Sequence, residues 1–187
     1  MAIVVILVVV VLLVLLLVFS FNGLVRRRTR TQEAWSQIDV ELKRRHDLIP
    51  NLVETVKGYA SHEQQTFEAV TNARANAVSA GATGDPAKVA QAENQLSTSL
   101  RSLFAVAENY PQLRAVESFT QLQEQLTATE DKVEFARRYY NGSARDYNTT
   151  LQTFPRTLIA GMFGFKPVDF FAADEGDRDV PQVKFGS

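Results

Sequence analysis

The chain has 187 residues, and its 20 Lys+Arg against 21 Asp+Glu leave a formal net charge of −1. That balance argues against a basic nucleic-acid binder, and a hydrophobic content of 45% argues against a disordered acidic chain. Because there is no cysteine and the histidines are His46 and His62 alone, disulfides, thiolate chemistry and lipidated cysteines are excluded, and a protein-only zinc site is not expected.

Residues 2–21 carry no charge, and 18 of these 20 are Ile, Val, Leu or Phe. Twenty helical residues rise about 30 Å, the thickness of a bilayer's hydrocarbon core. In lipid the backbone must satisfy its own hydrogen bonds, so a helix is enforced despite the β-branched content. The competing reading is a cleaved signal peptide. However, no Lys or Arg precedes the apolar run, and no small-x-small triplet follows it. Residues 1–23 are therefore read as a retained transmembrane anchor. Arg26, Arg27, Arg28 and Arg30 follow at once, and an excess of Arg marks the cytoplasmic flank. The expectation is a single-pass protein of the plasma membrane with its N-terminus outside. The same arginines can also reach anionic headgroups, or simply solvate the start of a helix.

Residues 24–154 read as one all-helical domain, being rich in Ala, Gln, Glu, Leu and Arg. Trp35, Ile38, Leu42, Arg45, Ile49, Leu52, Val56 and Tyr59 step by three and four, a heptad-like stripe that only Arg45 breaks. Pro50 lies within it and predicts a kink near 46–50. Ser61 and Gln64 suggest a capping box opening a second helix to about Ser79, with Phe67, Val70, Ala73, Ala77 and Val78 as its apolar positions. GATGD at 81–85 reads as a loop, and Asp85-Pro86 as an N-cap with proline at the first helical position. A third helix over 86–108 would turn Val89, Leu96, Leu100, Leu103 and Ala107 inward, and Tyr110-Pro111 ends it. A fourth carries the stripe from Phe119 through Val133, Tyr140 and Tyr147 to Phe154, with Gly142 as a local weakness.

The fold expected is all-α: a transmembrane helix followed by an antiparallel up-down four-helix bundle with long, coiled-coil-like first and last helices. The alternative is a set of elongated hairpins that complete their core by oligomerising. In either case the fourth helix returns to the bilayer. Residues 155–187 then divide into an apolar segment, with Met162, Phe163 and Phe165 near the membrane, and an acidic tail. The apolar segment has three possible roles: capping the bundle, lying at the lipid interface, or docking on a neighbouring subunit.

No phosphate loop, nucleophile elbow, H-E-x-x-H or EF-hand loop occurs, and the Glu-x-x-His pairs of di-iron bundles are missing. The densest polar run is RRHDLIPN, where Arg44, Arg45, Asp47 and Asn51 surround His46. Its plain reading is a polar layer in which Arg45 pairs with a carboxylate and Asn51 satisfies amides freed by Pro50. Its sharper reading is a site for a protein partner or an anion. Tyr139, Tyr140, Asn141, Tyr147 and Asn148 form a second, polar-aromatic band. Arg101, Arg114, Arg137 and Arg138 are expected to pair with carboxylates on neighbouring helices.

AWSQIDVELKRRHDLIPNLVETVKGYASHE at 34–63 resembles the signature stretch of the bacterial LemA family. The similarity continues in LFAVAENYPQL, SFTQLQEQLTATED, ARRYYNGSARDYN and FGFKP, in the family's order. The resemblance implies a membrane anchor and an antiparallel helical bundle. It brings no catalytic residue, substrate or cofactor with it.

The reading that follows is a non-enzymatic, membrane-anchored scaffold that forms homo-oligomers. It needs no cofactor, and its partners would be the bilayer and further copies of itself, with no nucleic acid and no small-molecule substrate. The alternative is a membrane-tethered adaptor or sensor that binds a cytoplasmic protein through Arg44–Asn51.

Overall fold

A computed structural model of the chain describes residues 1–171. Every regular element among them is helical: α1 (Ala2–Lys57), α2 (Gln64–Gly81), α3 (Pro86–Glu108), α4 (Pro111–Arg114), α5 (Glu117–Gln152) and α6 (Arg156–Phe163). The acidic stretch expected over 172–187 lies outside the described residues.

The apolar N-terminus and the first stripe form one helix of 56 residues. Residues 2–19 are exposed along their whole length, and this stretch is long and apolar enough to cross a membrane. Pro50 lies inside α1 without ending it. The stripe is buried from Ile38 to Val56, but Tyr59 is exposed because the helix stops at Lys57.

The capping box at Ser61 does not form. Tyr59 and Ala60 both donate to the carbonyl of Val56, at 3.0 and 2.9 Å, and Ala60 is buried. These turns carry the chain past Ser61, so Glu63 occupies the cap position of α2 with no side-chain bond. Val78 is exposed, unlike Phe67, Val70, Ala73 and Ala77. At the start of α3 the cap is the one expected: Asp85 accepts from the amides of Ala87 and Lys88 at 3.0 and 3.3 Å. Gly84 supplies the left-handed turn just before it, with φ 65°. Between α3 and α5 the chain adds the single turn α4, which buries Leu113. The stripe of α5 is buried or half-buried from Phe119 to Leu151. Phe154 falls beyond the end of the helix and is exposed.

The chain divides into two compact units. One comprises Met1–Arg44 and Ala128–Phe170; the other comprises Arg45–Thr127 together with Phe171. The second unit has a hydrophobic core to which α1 gives Ile49, Leu52 and Val56, α2 gives Phe67 and Val70, α3 gives Leu96, Leu100 and Leu103, and α5 gives Phe119 and Leu126. Helices α2 and α3 pack directly on each other there. In the first unit Leu24, Tyr147, Leu151, Ile159 and Ala160 form a core, with Phe21, Phe165 and Val168 against it.

Candidate functional site

The polar run at 44–51 is split by the helix that carries it. Arg45 and His46 are buried, whereas Arg44, Asp47 and Asn51 face solvent. Arg45 is 4% exposed and Glu93, from α3, is 3% exposed. Arg45 Nη1 donates to Glu93 Oε2 at 3.0 Å, and Nη2 donates to Ser97 Oγ at 2.8 Å. The other oxygen of Glu93 lies 2.6 Å from His46 Nε2. Both carboxylate oxygens are thus engaged, as a buried charge requires. Removing one partner from such a pair costs about 3–5 kcal/mol, because the other charge stays buried.

Pro50 adds a further demand. It has no amide hydrogen, so the carbonyl of His46, four residues earlier, loses its helical donor. Asn51, expected to serve the freed backbone there, is exposed to solvent instead. Arg74 of α2 compensates: its Nε donates to the His46 carbonyl at 2.7 Å. Glu93 and Arg74 were not singled out from the sequence. A signal existed, since Glu93 stands four residues after Val89 and Arg74 four after Val70, on the buried faces of their helices.

In the first unit the aromatic band holds the chain beyond α6. Trp35 and Tyr140 meet edge to face with ring centroids 5.2 Å apart. The Tyr140 hydroxyl donates to the Asp169 carbonyl at 2.7 Å. Burial, with the nearby Asp169 charge, pushes the Tyr140 phenol up to about 12. Asn148 binds Val168 twice: its Nδ2 donates to the Val168 carbonyl at 2.8 Å, and its Oδ1 accepts from the Val168 amide at 2.9 Å. This one amide side chain gives Val168 the pair of bonds that a neighbouring strand would give. Asn141 is half-buried beside this band. Tyr139 accepts from Arg30 Nε at 3.2 Å, with the guanidinium carbon 5.6 Å from its ring centroid. Arg138 pairs at 3.1 Å with Glu134 of its own helix, not with a neighbouring one.

Of the residues expected near a membrane, Arg26, Arg28 and Arg30 are exposed and Arg27 is half-buried. Phe163 and Phe165 pack on Phe21, with centroids 4.9 and 5.6 Å apart, while Met162 is 74% exposed. A cleft of about 370 Å³ opens there, lined by Phe21, Val25, Arg28, Thr29, Gln32, Phe163 and Phe165. Higher on the same unit, a groove of about 630 Å³ lies between α1 and α5. Val40 and Phe135 form its apolar sides, each 65% exposed. Glu41, Asp131 and Lys132 complete it, and Glu41 Oε2 is buried with no hydrogen-bond partner among the described residues. No three His, Asp or Glu side chains among the described residues come together as a metal ion would need.

The chain is similar to magnetosome protein MamQ 2 of Paramagnetospirillum magneticum, at 26% identity over 174 residues, covering 81% of this chain and 64% of that protein. It is also similar to magnetosome protein MamQ of Magnetospirillum gryphiswaldense, at 25% identity, covering 87% of this chain and 70% of the relative. Protein LemA of Metamycoplasma hominis matches at 26% identity over 157 residues, covering 84% and 71%. The chain thus spans less than two thirds of the length of MamQ 2. The model of the LemA family matches residues 34–185, from the residue before Trp35 through both polar bands, and the chain belongs to that family.

Proposed function

We propose that the chain is a non-enzymatic membrane scaffold that crosses the plasma membrane once, N-terminus outside, and forms homo-oligomers. The observation that carries this reading is α1. A single helix begins as an apolar stretch exposed over residues 2–19 and, from Leu24 onward, contributes to a folded core. Cleavage behind the apolar stretch would cut a continuous helix close to Phe21 and Leu24, both of which are packed. The arginines from Arg26 to Arg30 support this orientation. Residue numbers support antiparallel packing of α1 on α5 within the first unit: Leu24 shares a core with Tyr147 and Leu151, Thr31 Oγ1 lies 3.2 Å from the Ser143 carbonyl, and Trp35 meets Tyr140. The up-down four-helix bundle is the arrangement we extend from this.

Lateral association is favoured by the Val40–Phe135 groove. Its acidic and basic residues are of the kind a second copy can match, and Lys132 of that copy would answer Glu41. Confinement in a membrane raises the effective concentration, so modest contacts suffice. Cross-linking in native membranes should give a ladder above monomer that Phe135→Lys removes; a strictly monomeric wild-type protein would refute the scaffold. Reporters fused to each end test the orientation.

The adaptor reading is kept because Arg44, Asp47 and Asn51 are exposed at positions i, i+3 and i+7 of one helix face. Reversing Asp47 to Lys should abolish capture of a cytoplasmic partner with stability unchanged. An equal loss of stability would remove this reading.

A further inference from the structure

We propose that the cleft between α1 and α6 binds an anionic phospholipid of the surrounding bilayer, with Arg28 at its phosphate and Phe21 and Val25 along its chains. This inference rests on the anchored reading above and adds a ligand site to it.

The first argument is position. Phe21 is the last residue of the apolar stretch, and α6 packs on Phe21 and Leu24. Leu24 stands three residues, about 4.5 Å, beyond Phe21 along the helix. The headgroup layer on each side of the hydrocarbon is roughly 5–7 Å deep. The cleft and α6 therefore lie at the level of headgroups and uppermost chain carbons.

The second argument is the order of its lining. Along one face of α1 the cleft runs Phe21, Val25, Arg28, Thr29, Gln32: apolar, apolar, cationic, then two hydrogen-bonding side chains. The sequence of groups follows a phospholipid from chain to phosphate to polar headgroup. Helical side chains lean toward the N-terminus, so Arg28, about 10 Å beyond Phe21, reaches back toward the phosphate plane. Phe163 and Phe165 close the apolar end.

The third argument is charge. Residues 20–32 contain four arginines and no acid, and Arg156 and Lys166 add two cations on the facing segment. The guanidinium of Arg156 lies beside Gly23, where a Cβ would stand 3.8 Å from its Nε. Such a field selects an anionic over a zwitterionic lipid. Leu158 and Met162, 61% and 74% exposed, give α6 a second apolar face, as is usual for a helix resting in an interface.

The test uses the full chain reconstituted in phosphatidylcholine vesicles carrying a trace of spin-labelled lipid, with electron paramagnetic resonance reading the motionally restricted fraction. Phosphatidylglycerol should associate several-fold more strongly than phosphatidylcholine. Arg28→Gln should bring that ratio close to one. Arg26→Gln, which removes the same charge from a residue outside the cleft, should leave most of the preference intact. Unchanged helix content by circular dichroism confirms that both exposed-site variants fold. Equal association of the two lipids in the wild type, or equal effects of the two variants, would overturn the site. Flotation separates the two levels of failure. A protein that floats with vesicles but shows no preference refutes the cleft and leaves the anchor standing, whereas one that fails to float refutes the anchor and the cleft with it.

Discussion

Arg74 supplies to the His46 carbonyl what the amide of residue 50 would supply in an unbroken helix. The two solutions are interchangeable, and the expected coupling is measurable. Arg74→Met should cost about 1–3 kcal/mol, as expected when a buried carbonyl loses its donor. In a Pro50→Ala background the helix regains its own donor, so the same change should cost less, with a coupling of roughly 1 kcal/mol. Urea unfolding of the four proteins in mild detergent would show this, and additive effects would rule out the shared carbonyl. Tyr140 gives a pH signature. Its phenol is raised to about 12, against about 10 in an unfolded chain. Across that window the folded state retains a proton that the unfolded chain has lost. The contribution is therefore complete below the unfolded value and declines as pH rises through the folded one. A tyrosinate absorbance titration should show a late-titrating phenol that Tyr140→Phe eliminates. That Arg45 would seek a carboxylate was legible from its place in an apolar stripe. That the carboxylate is Glu93, and that Arg74 rather than Asn51 serves Pro50, was not, because it depends on which helices come to face each other.

At the scale of elements, local chemistry was legible where it acts through neighbouring residues. Asp85-Pro86 marks the start of α3, and the helix runs over Pro86–Glu108 as the pattern suggests. The stripes of α1 and α5 were legible for the same reason, since a period of 3.6 leaves few alternatives. Local signals failed where packing outweighed them. Ser61 can cap a helix only if the chain leaves the preceding one in time, and the burial of Ala60 carries the turn past it. The turn α4 is too short to have a period. Gly142 proved a tolerated weakness: it sits within α5, and a Cβ there would meet nothing within 4 Å. Gly142→Ala should therefore stabilise the protein by about 1 kcal/mol, through helix propensity and a less flexible unfolded chain. Thermal or chemical unfolding would measure this, and a loss of stability would show that the site is occupied by a neighbour.

For the molecule as a whole, membrane attachment and folding draw on different residues. Residues 2–19 are exposed and contribute no side chain to either hydrophobic core, whereas Ser20 is buried and Phe21 is packed. A chain lacking residues 2–18 should keep the circular dichroism of its remaining helices and its unfolding midpoint, yet no longer float with vesicles. Concerted loss of structure would mean that the greasy stretch supports the fold directly. What no sequence pattern could reveal is the pair of hydrogen bonds between Asn148 and Val168, because the two lie 20 residues apart on segments of unrelated period.

The unbroken run of α1 past Phe21 also links the azimuth of the membrane segment to that of the packed residues behind it. Each residue turns an α-helix by about 100°. Inserting a single alanine between Val18 and Phe19 would swing every upstream side chain by that angle about the helix axis, while Phe21, Leu24 and everything after them stayed in place. Four added residues would nearly restore the original facing. If the apolar stretch of the helix recognises anything by direction, its response to such insertions should rise and fall with the helical period.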